Sequence, residues 1–169
     1  MINITNFKSP HVVVGRHYVV TTDGACRNNP GPGGWGARLL SFEGGSLRGV
    51  KELSGAVPRA TKNEMELTAA IEALRWLKNH SYPVTLVSDS QYVIKGMTEW
   101  MGGWQARGWR KADGKPVLNR ELWEDLITVV GAREVTWEWV RGHSGHPDNE
   151  RADQLANLAI DRLLSRKRA

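Results

Sequence analysis

Four acidic residues stand where carboxylates could act together: Asp23, Glu66, Asp89 and Asp153. Asp23 ends the β-branched and aromatic run Tyr18–Thr22, and Asp89 follows the short apolar run Val84–Val87. An acid at the point where a buried strand emerges is held rigidly and still meets solvent, which suits a metal ligand. Glu66 and Asp153 fall in the N-terminal halves of two segments with helical periodicity. Two unit charges 4 Å apart oppose each other by about 4 kcal/mol at an effective dielectric of ~20. Four acids brought to such distances need a cation or large pKa shifts. Hard oxygen donors favour Mg²⁺ or Mn²⁺, and two such ions about 3.5–4 Å apart suit phosphoryl transfer. Taken singly, each acid also reads as a turn residue, a cap or a helix-dipole partner worth about 0.3–1 kcal/mol. The sequence alone does not bring the four together.

The elements that would position these acids follow from pattern. His17 to Ala25, Trp35 to Phe42 and Leu47 to Val57 read as three strands of an antiparallel meander, with a turn at the glycine pair in Glu43 to Ser46. Thr61 and Glu64 have the capping-box spacing. The helix they open is predicted to run to Lys78, with Leu67, Ala70, Ile71, Leu74 and Leu77 on one face. Val84 to Val87 is a strand of the kind buried at a sheet's centre. Gln91 to Gln105 is predicted helical with an interruption at Gly102 and Gly103, and Asn119 caps a further helix ending near Gly131. Glu134 to Val140 alternates as a strand, Gly142 to His146 is a loop, and Pro147 to about Leu164 is the last helix. Its predicted core face is Ala152, Leu155, Ala156, Ala159 and Leu163. The order βββαβααβα predicts an α/β (mixed α+β) fold, one mixed sheet with helices packed on it.

The chain has 169 residues, a formal charge of +5 and a pI near 9.6. That length predicts one domain, expected over 17–165, after a leader at 1–16 and before a basic tail at 166–169. A basic balance suits nucleic acid or another polyanion. The single cysteine, Cys26, excludes an internal disulfide and fits a reducing compartment. No apolar run approaches the ~20 residues a membrane span needs, and the first residues make a poor signal peptide. A cytoplasmic protein is expected. From Lys95 to Arg120 there are six basic residues and two acids, a net +4 that is nearly the whole formal charge. Trp100, Trp104 and Trp109 interleave with them, a combination that suits a nucleic-acid groove. Trp104 and Trp109 also read as packing residues, and Trp123, Trp137 and Trp139 as structural ones.

Four segments in this order, TDGACRNNPGPGGWG, RATKNEMELTAAIEAL, SDSQYVIKGMTEWMGGWQARGW and WEWVRGHSGHPDNERADQLA, resemble bacterial ribonuclease H of type 1 (ribonuclease HI). The resemblance runs from about Tyr18 to Ala159. It implies a five-stranded mixed sheet in the order 3-2-1-4-5. It implies an endonuclease that cleaves the RNA strand of RNA–DNA hybrids by a two-metal-ion mechanism, leaving 5′-phosphate and 3′-hydroxyl ends. By motif, Asp23, Glu66, Asp89 and Asp153 correspond to the family's metal-binding carboxylates, with Asp23 bridging both ions. One or two Mg²⁺ are implied, with Mn²⁺ as a substitute. His143 corresponds to the mobile-loop histidine that aids proton transfer or product release. Its ordinary pKa of about 6.5 suits that role; a loop histidine without a role is the competing reading.

The resemblance also implies the substrate contacts. Asn29, Asn63 and Gln91 correspond to RNA-strand positions, where the 2′-hydroxyl distinguishes a hybrid from duplex DNA. Arg59, Thr61 and Asn119 correspond to a pocket for a DNA phosphate. Tyr92, Trp100 and Trp104 correspond to residues lining the DNA channel. Lys62 departs from the family's frequent asparagine and suits a phosphate better than a base edge. A hybrid duplex as partner, a monomer and low processivity are expected. The competing classes are a DNA nuclease or strand-transferase on the same kind of sheet, a non-catalytic hybrid-binding module, and a basic domain that binds phosphate without selectivity.

Overall fold

The computed structural model describes residues 15–168. Most of the expected leader therefore lies outside the described residues. Three long strands open the chain: β1 (Arg16–Cys26), β2 (Gly31–Glu43) and β3 (Ser46–Ala60). They form the antiparallel meander expected from their strand-forming runs and the glycine turn between them. Gly44 and Gly45 both take positive φ in the β2–β3 turn, a conformation glycine adopts without strain. α1 (Lys62–Trp76) follows, then β4 (Val84–Ser88), which pairs parallel to β1. β5 (Val135–Trp139) pairs parallel to β4 and completes a sheet in the order β3-β2-β1-β4-β5. β1 is the central strand, and its residues from Val19 to Asp23 are all buried.

The two faces of the sheet are covered by different helices. Cross-strand partners share a face, and neighbours along a strand alternate. Asp23 pairs with Gly36, and a Cβ on Gly36 would stand 2.3 Å from the Ala152 carbonyl of α5 (Pro147–Arg168). A Cβ on Gly24, the next residue of β1, would stand 2.4 Å from the Glu66 amide in α1. α5 and α1 therefore lie on opposite faces, each brought against the sheet by a glycine. α1 starts with the predicted capping box: Thr61 Oγ1 accepts from the Glu64 amide at 3.2 Å, and Glu64 Oε1 accepts from the Thr61 amide at 3.1 Å. Such caps contribute about 1 kcal/mol. Leu67, Ala70, Ile71, Leu74 and Leu77 are all buried as predicted, and each large aliphatic side chain removed from water contributes about 1.5–3 kcal/mol.

Several expectations about the helices are corrected. α1 ends at Trp76 rather than Lys78, with Leu77 as its cap. The segment from Gln91 is α2 (Gln91–Lys95), a π-helical turn (Gly96–Trp100) and α3 (Met101–Ala106). The irregularity lies at Gly96, not at Gly102 and Gly103, which are wound into α3. Only glycine fits where the turn begins: a Cβ at Gly96 would lie 2.1 Å from the Trp123 indole. Asn119 is the cap residue of α4 (Arg120–Val130) by position, but its side chain makes no capping hydrogen bond. It sits in the left-handed region, φ 60°, and its amide donates to the Tyr92 hydroxyl instead. α5 continues to Arg168, past the expected end near Leu164, and Ile160, fully buried, replaces Leu163 as the last strong core contact.

Candidate active site

The ends of β1 and β4 and the start of α1 bring three carboxylates together. One oxygen from each of Asp23, Glu66 and Asp89 lies within 4.8 Å of the other two. Asp23 is 4% exposed and Glu66 2%. The Gly24 amide donates to Asp23 Oδ1 at 2.9 Å, and the Trp139 indole donates to the Asp89 carbonyl at 3.0 Å. Neither Glu66 oxygen has a protein donor. Burial, reinforced by the Asp89 charge, pushes the Asp23 carboxyl up to about 8. Burial and the charge of Asp23 push Glu66 well above the usual carboxylate range. With all three ionised, each pair opposes the other by roughly 3–4 kcal/mol at an effective dielectric of ~20. A proton or a cation on the cluster would relieve this.

Asp153 stands outside this triplet, on the second turn of α5. Its charge still acts on Asp23 and helps to raise its pKa. Asn157, one turn on, donates to the Asp153 carbonyl at 3.0 Å and to its Oδ1 at 3.3 Å. The sequence contains no sign of this contact beyond the i, i+4 spacing. His143 is exposed, with φ 54°. Its loop passes over Asp89, since a Cβ on Gly142 would lie 2.8 Å from Asp89 Oδ2. His146 closes the loop by accepting the Asn149 amide on Nδ1 at 3.1 Å, which caps α5.

The expected substrate residues fall into two groups. Asn63, Tyr92, Trp100, Trp104 and Asn119 line one groove of about 540 Å³ with Arg107 and Lys111. Asn63, expected on the RNA side, thus borders the groove of the residues expected to face DNA. The Tyr92 hydroxyl accepts from Asn119 Nδ2 and Trp123 Nε1, both at 3.1 Å. Trp104 is 6% exposed and packs on Trp123 with ring centroids 5.2 Å apart, whereas Trp100 is 36% exposed. Arg59, Asn29 and Gln91 are exposed and lie outside the groove lining. Asn29 Oδ1 accepts the Lys62 amide at 3.0 Å, joining the loop after β1 to the start of α1. The Thr61 hydroxyl is held by Glu64 in the capping box.

A 3-2-1-4-5 mixed sheet with acids at the ends of its two central strands defines a ribonuclease H-like protein. The sequence profile of the RNase H family matches residues 15–161. A ribonuclease H from Cupriavidus pinatubonensis is 52% identical over 147 residues, covering 87% of this chain and 97% of its own. A ribonuclease HI from Pseudomonas syringae pv. tomato is 55% identical over 149 residues, covering 88% and 95%. Among solved structures, LC9-RNase H1, a type 1 RNase H with the type 2 active-site motif, is similar with a TM-score of 0.77. It shares 34% identity, covering 87% of this chain and 73% of that one. LC11-RNase H1, solved in complex with an RNA/DNA hybrid, gives a TM-score of 0.64 at 26% identity, covering 87% and 99%. The chain belongs to the RNase H family.

Proposed function

We propose that this protein hydrolyses the RNA strand of RNA–DNA hybrids as an endonuclease, with Mg²⁺ held by Asp23, Glu66 and Asp89 and completed by Asp153. The observation that carries this reading is Glu66: a buried carboxylate with no donor, beside two further acids. Such a group is costly unless a cation or a proton compensates it, and an all-oxygen donor set fits Mg²⁺, with Mn²⁺ as a substitute. When bound, one or two ions supply an activated water and neutralise charge on the leaving oxygen, which yields 5′-phosphate and 3′-hydroxyl ends. Asp23, on which the charges of both Asp89 and Asp153 act, would contribute to holding either ion.

The remaining roles belong to the chain's own groups. His143, on the loop above Asp89, accepts or delivers a proton or eases product release. Asn29, Asn63 and Gln91 are assigned to the RNA strand, whose 2′-hydroxyls they would recognise. Arg59, Thr61 and Asn119 are assigned to a DNA phosphate, and Tyr92, Trp100 and Trp104 to the DNA channel. Trp100 offers the accessible stacking face, with Trp104 behind it. No helix among the described residues is long and apolar enough to cross a membrane. The single cysteine, a free thiol, supports a reducing compartment such as the cytoplasm, and a monomer is part of the same proposal.

The test is one sequence prepared as RNA–DNA hybrid, RNA duplex, DNA duplex and single-stranded RNA, each with Mg²⁺ and with EDTA. Metal-dependent cutting confined to the RNA of the hybrid is expected. Cutting of all duplexes alike, or hybrid binding without cutting under every metal, would overturn the reading.

A further inference from the structure

Four charged side chains tie the first turns of α5 to β2 and β3. Arg38 Nε donates to Asp148 Oδ1 and Arg38 Nη1 to Glu52 Oε2, both at 2.9 Å. Glu52 then takes Arg151 through two bonds, Nε to Oε2 at 2.7 Å and Nη2 to Oε1 at 2.9 Å. The four side chains are between 28% and 36% exposed. A single ion pair at such exposure adds little to stability. A bidentate arginine–carboxylate pair does, however, fix relative orientation.

That orientation concerns the helix carrying Asp153. Asp148, Arg151, Ala152 and Leu155 follow the i, i+3, i+4, i+7 pattern of one helix face. Ala152 and Leu155 are the residues over Gly36 of β2. The charged chain therefore grips α5 beside its closest approach to the sheet. Asp153 comes next, turned about 100° from Ala152. With its carboxylate roughly 5–6 Å from the helix axis, a rotation of about 10° moves it by about 1 Å. Displacements of that size matter where several ligands must converge.

We infer that the Asp148–Arg38–Glu52–Arg151 chain positions the reaction site: it sets the rotation of α5 and with it the place of Asp153 relative to Asp23, Glu66 and Asp89. None of the four belongs to the acid triplet, so they are positioning residues. The inference rests on the metal-ion reading proposed above.

The informative variant is Glu52→Gln, which keeps the side-chain shape and removes the charge between two guanidinium groups. The Mg²⁺ concentration for half-maximal hybrid cleavage is expected to rise about 10-fold, the lower end of what outer-shell partners contribute. The KM for hybrid at saturating Mg²⁺ stays unchanged. Calorimetric titration of Mg²⁺ into the hybrid-free protein shows the same weakening. Adding Arg151→Gln to Glu52→Gln changes little more, because residues of one network do not act additively. Arg16→Met, which removes the exposed 3.5 Å pair with Glu43 on the same sheet, shifts neither readout. An unchanged metal midpoint in Glu52→Gln, or an equal shift in Arg16→Met, would overturn the inference. Should Glu52→Gln fail to fold, Arg38→Gln leaves the Arg151–Glu52 pair in place and is read by the same two measurements. A wild-type protein that cuts no hybrid at any Mg²⁺ concentration would sink the proposed function instead, and the calorimetric comparison would still judge the positioning.

Discussion

The strand ends around Asp23 and the aromatic lobe around Trp123 are both buried, and they treat polar atoms in opposite ways. At the strand ends three carboxylates are drawn in without enough donors, and both Glu66 oxygens are left unpaired. In the lobe the polar atoms at the Tyr92–Trp123 contact satisfy one another: the Tyr92 hydroxyl takes two donors, and one of them is the indole of the fully buried Trp123. Tyr92, Trp104 and Trp123 pack with centroids 5.1 and 5.2 Å apart. The lobe is complete as folded protein. The acidic site is complete only with a cation or a proton, and that deficit is what suits it to hold a metal ion.

The largest effect is expected from Asp23→Asn, at the acidic site. Cleavage of hybrid should fall by at least about 10³-fold, the equivalent of ~4 kcal/mol of transition-state stabilisation. In EDTA the same variant should melt higher than wild type, because a source of repulsion has gone. A variant that kept its activity would remove Asp23 from the chemistry.

The next effect is a pH dependence. Asp23 holds its proton to about 8 in the folded protein, whereas an unfolded aspartate loses it near 4. Between those values the native state binds more protons, so metal-free stability falls as pH rises, by several kcal/mol across the window. Below the lower value the penalty is absent, and above the upper one it is complete. Urea titrations in EDTA from pH 4.5 to 8 should show the decline, and saturating Mg²⁺ should flatten it. A metal-free stability that rises over that range would contradict the cause assigned to Asp23.

The lobe should respond in the other currency, packing. Trp104→Ala should cost about 3–5 kcal/mol of stability in a denaturant titration. Trp100→Ala, at the exposed end of the same stack, should leave stability nearly unchanged and weaken hybrid binding by about 1–3 kcal/mol, the value of one base-stacking contact. Equal effects of the two would erase the distinction between packed and presented tryptophan. The smallest change is Lys111→Ala at the groove: the slope of log affinity against log salt should drop by about 1, if Lys111 neutralises one phosphate. An unchanged slope would move the phosphate path elsewhere.

The sequence revealed most where the signal was local. The Thr61–Glu64 capping box, the glycine turn at Gly44 and Gly45, the β-branched and aromatic run that becomes β1 and the EVTWEWV run that holds β5 all lie within a few residues, and the structure bears them out. The convergence of Asp23, Glu66 and Asp89 was legible only as acids at comparable strand and helix positions, plus four motifs in family order. What stayed hidden depended on partners far along the chain. The π-helical turn begins at Gly96, where Trp123 leaves no room for a side chain, a long-range contact that helix propensity does not encode, so the glycines at 102 and 103 looked like the break. Asn119 looked like an ordinary cap because Tyr92 lies 27 residues away. Glu52 and Arg151 are separated by 99 residues and meet only once β3 and α5 are in register.

The π-helical turn at Gly96–Trp100 holds one residue more than an α-helical turn would. In genetic terms it is a single in-frame codon. A deletion within the turn would be taken up by a return to regular α winding, whereas a deletion placed just after it would shift the register of everything downstream by about 100°. Trp104 would swing away from Trp123, and Arg107 and Lys111 would leave the groove. Letters on the lobe's outer surface can drift one at a time, whereas its length beyond the turn cannot, so insertions and deletions there should be purged far more strictly than substitutions.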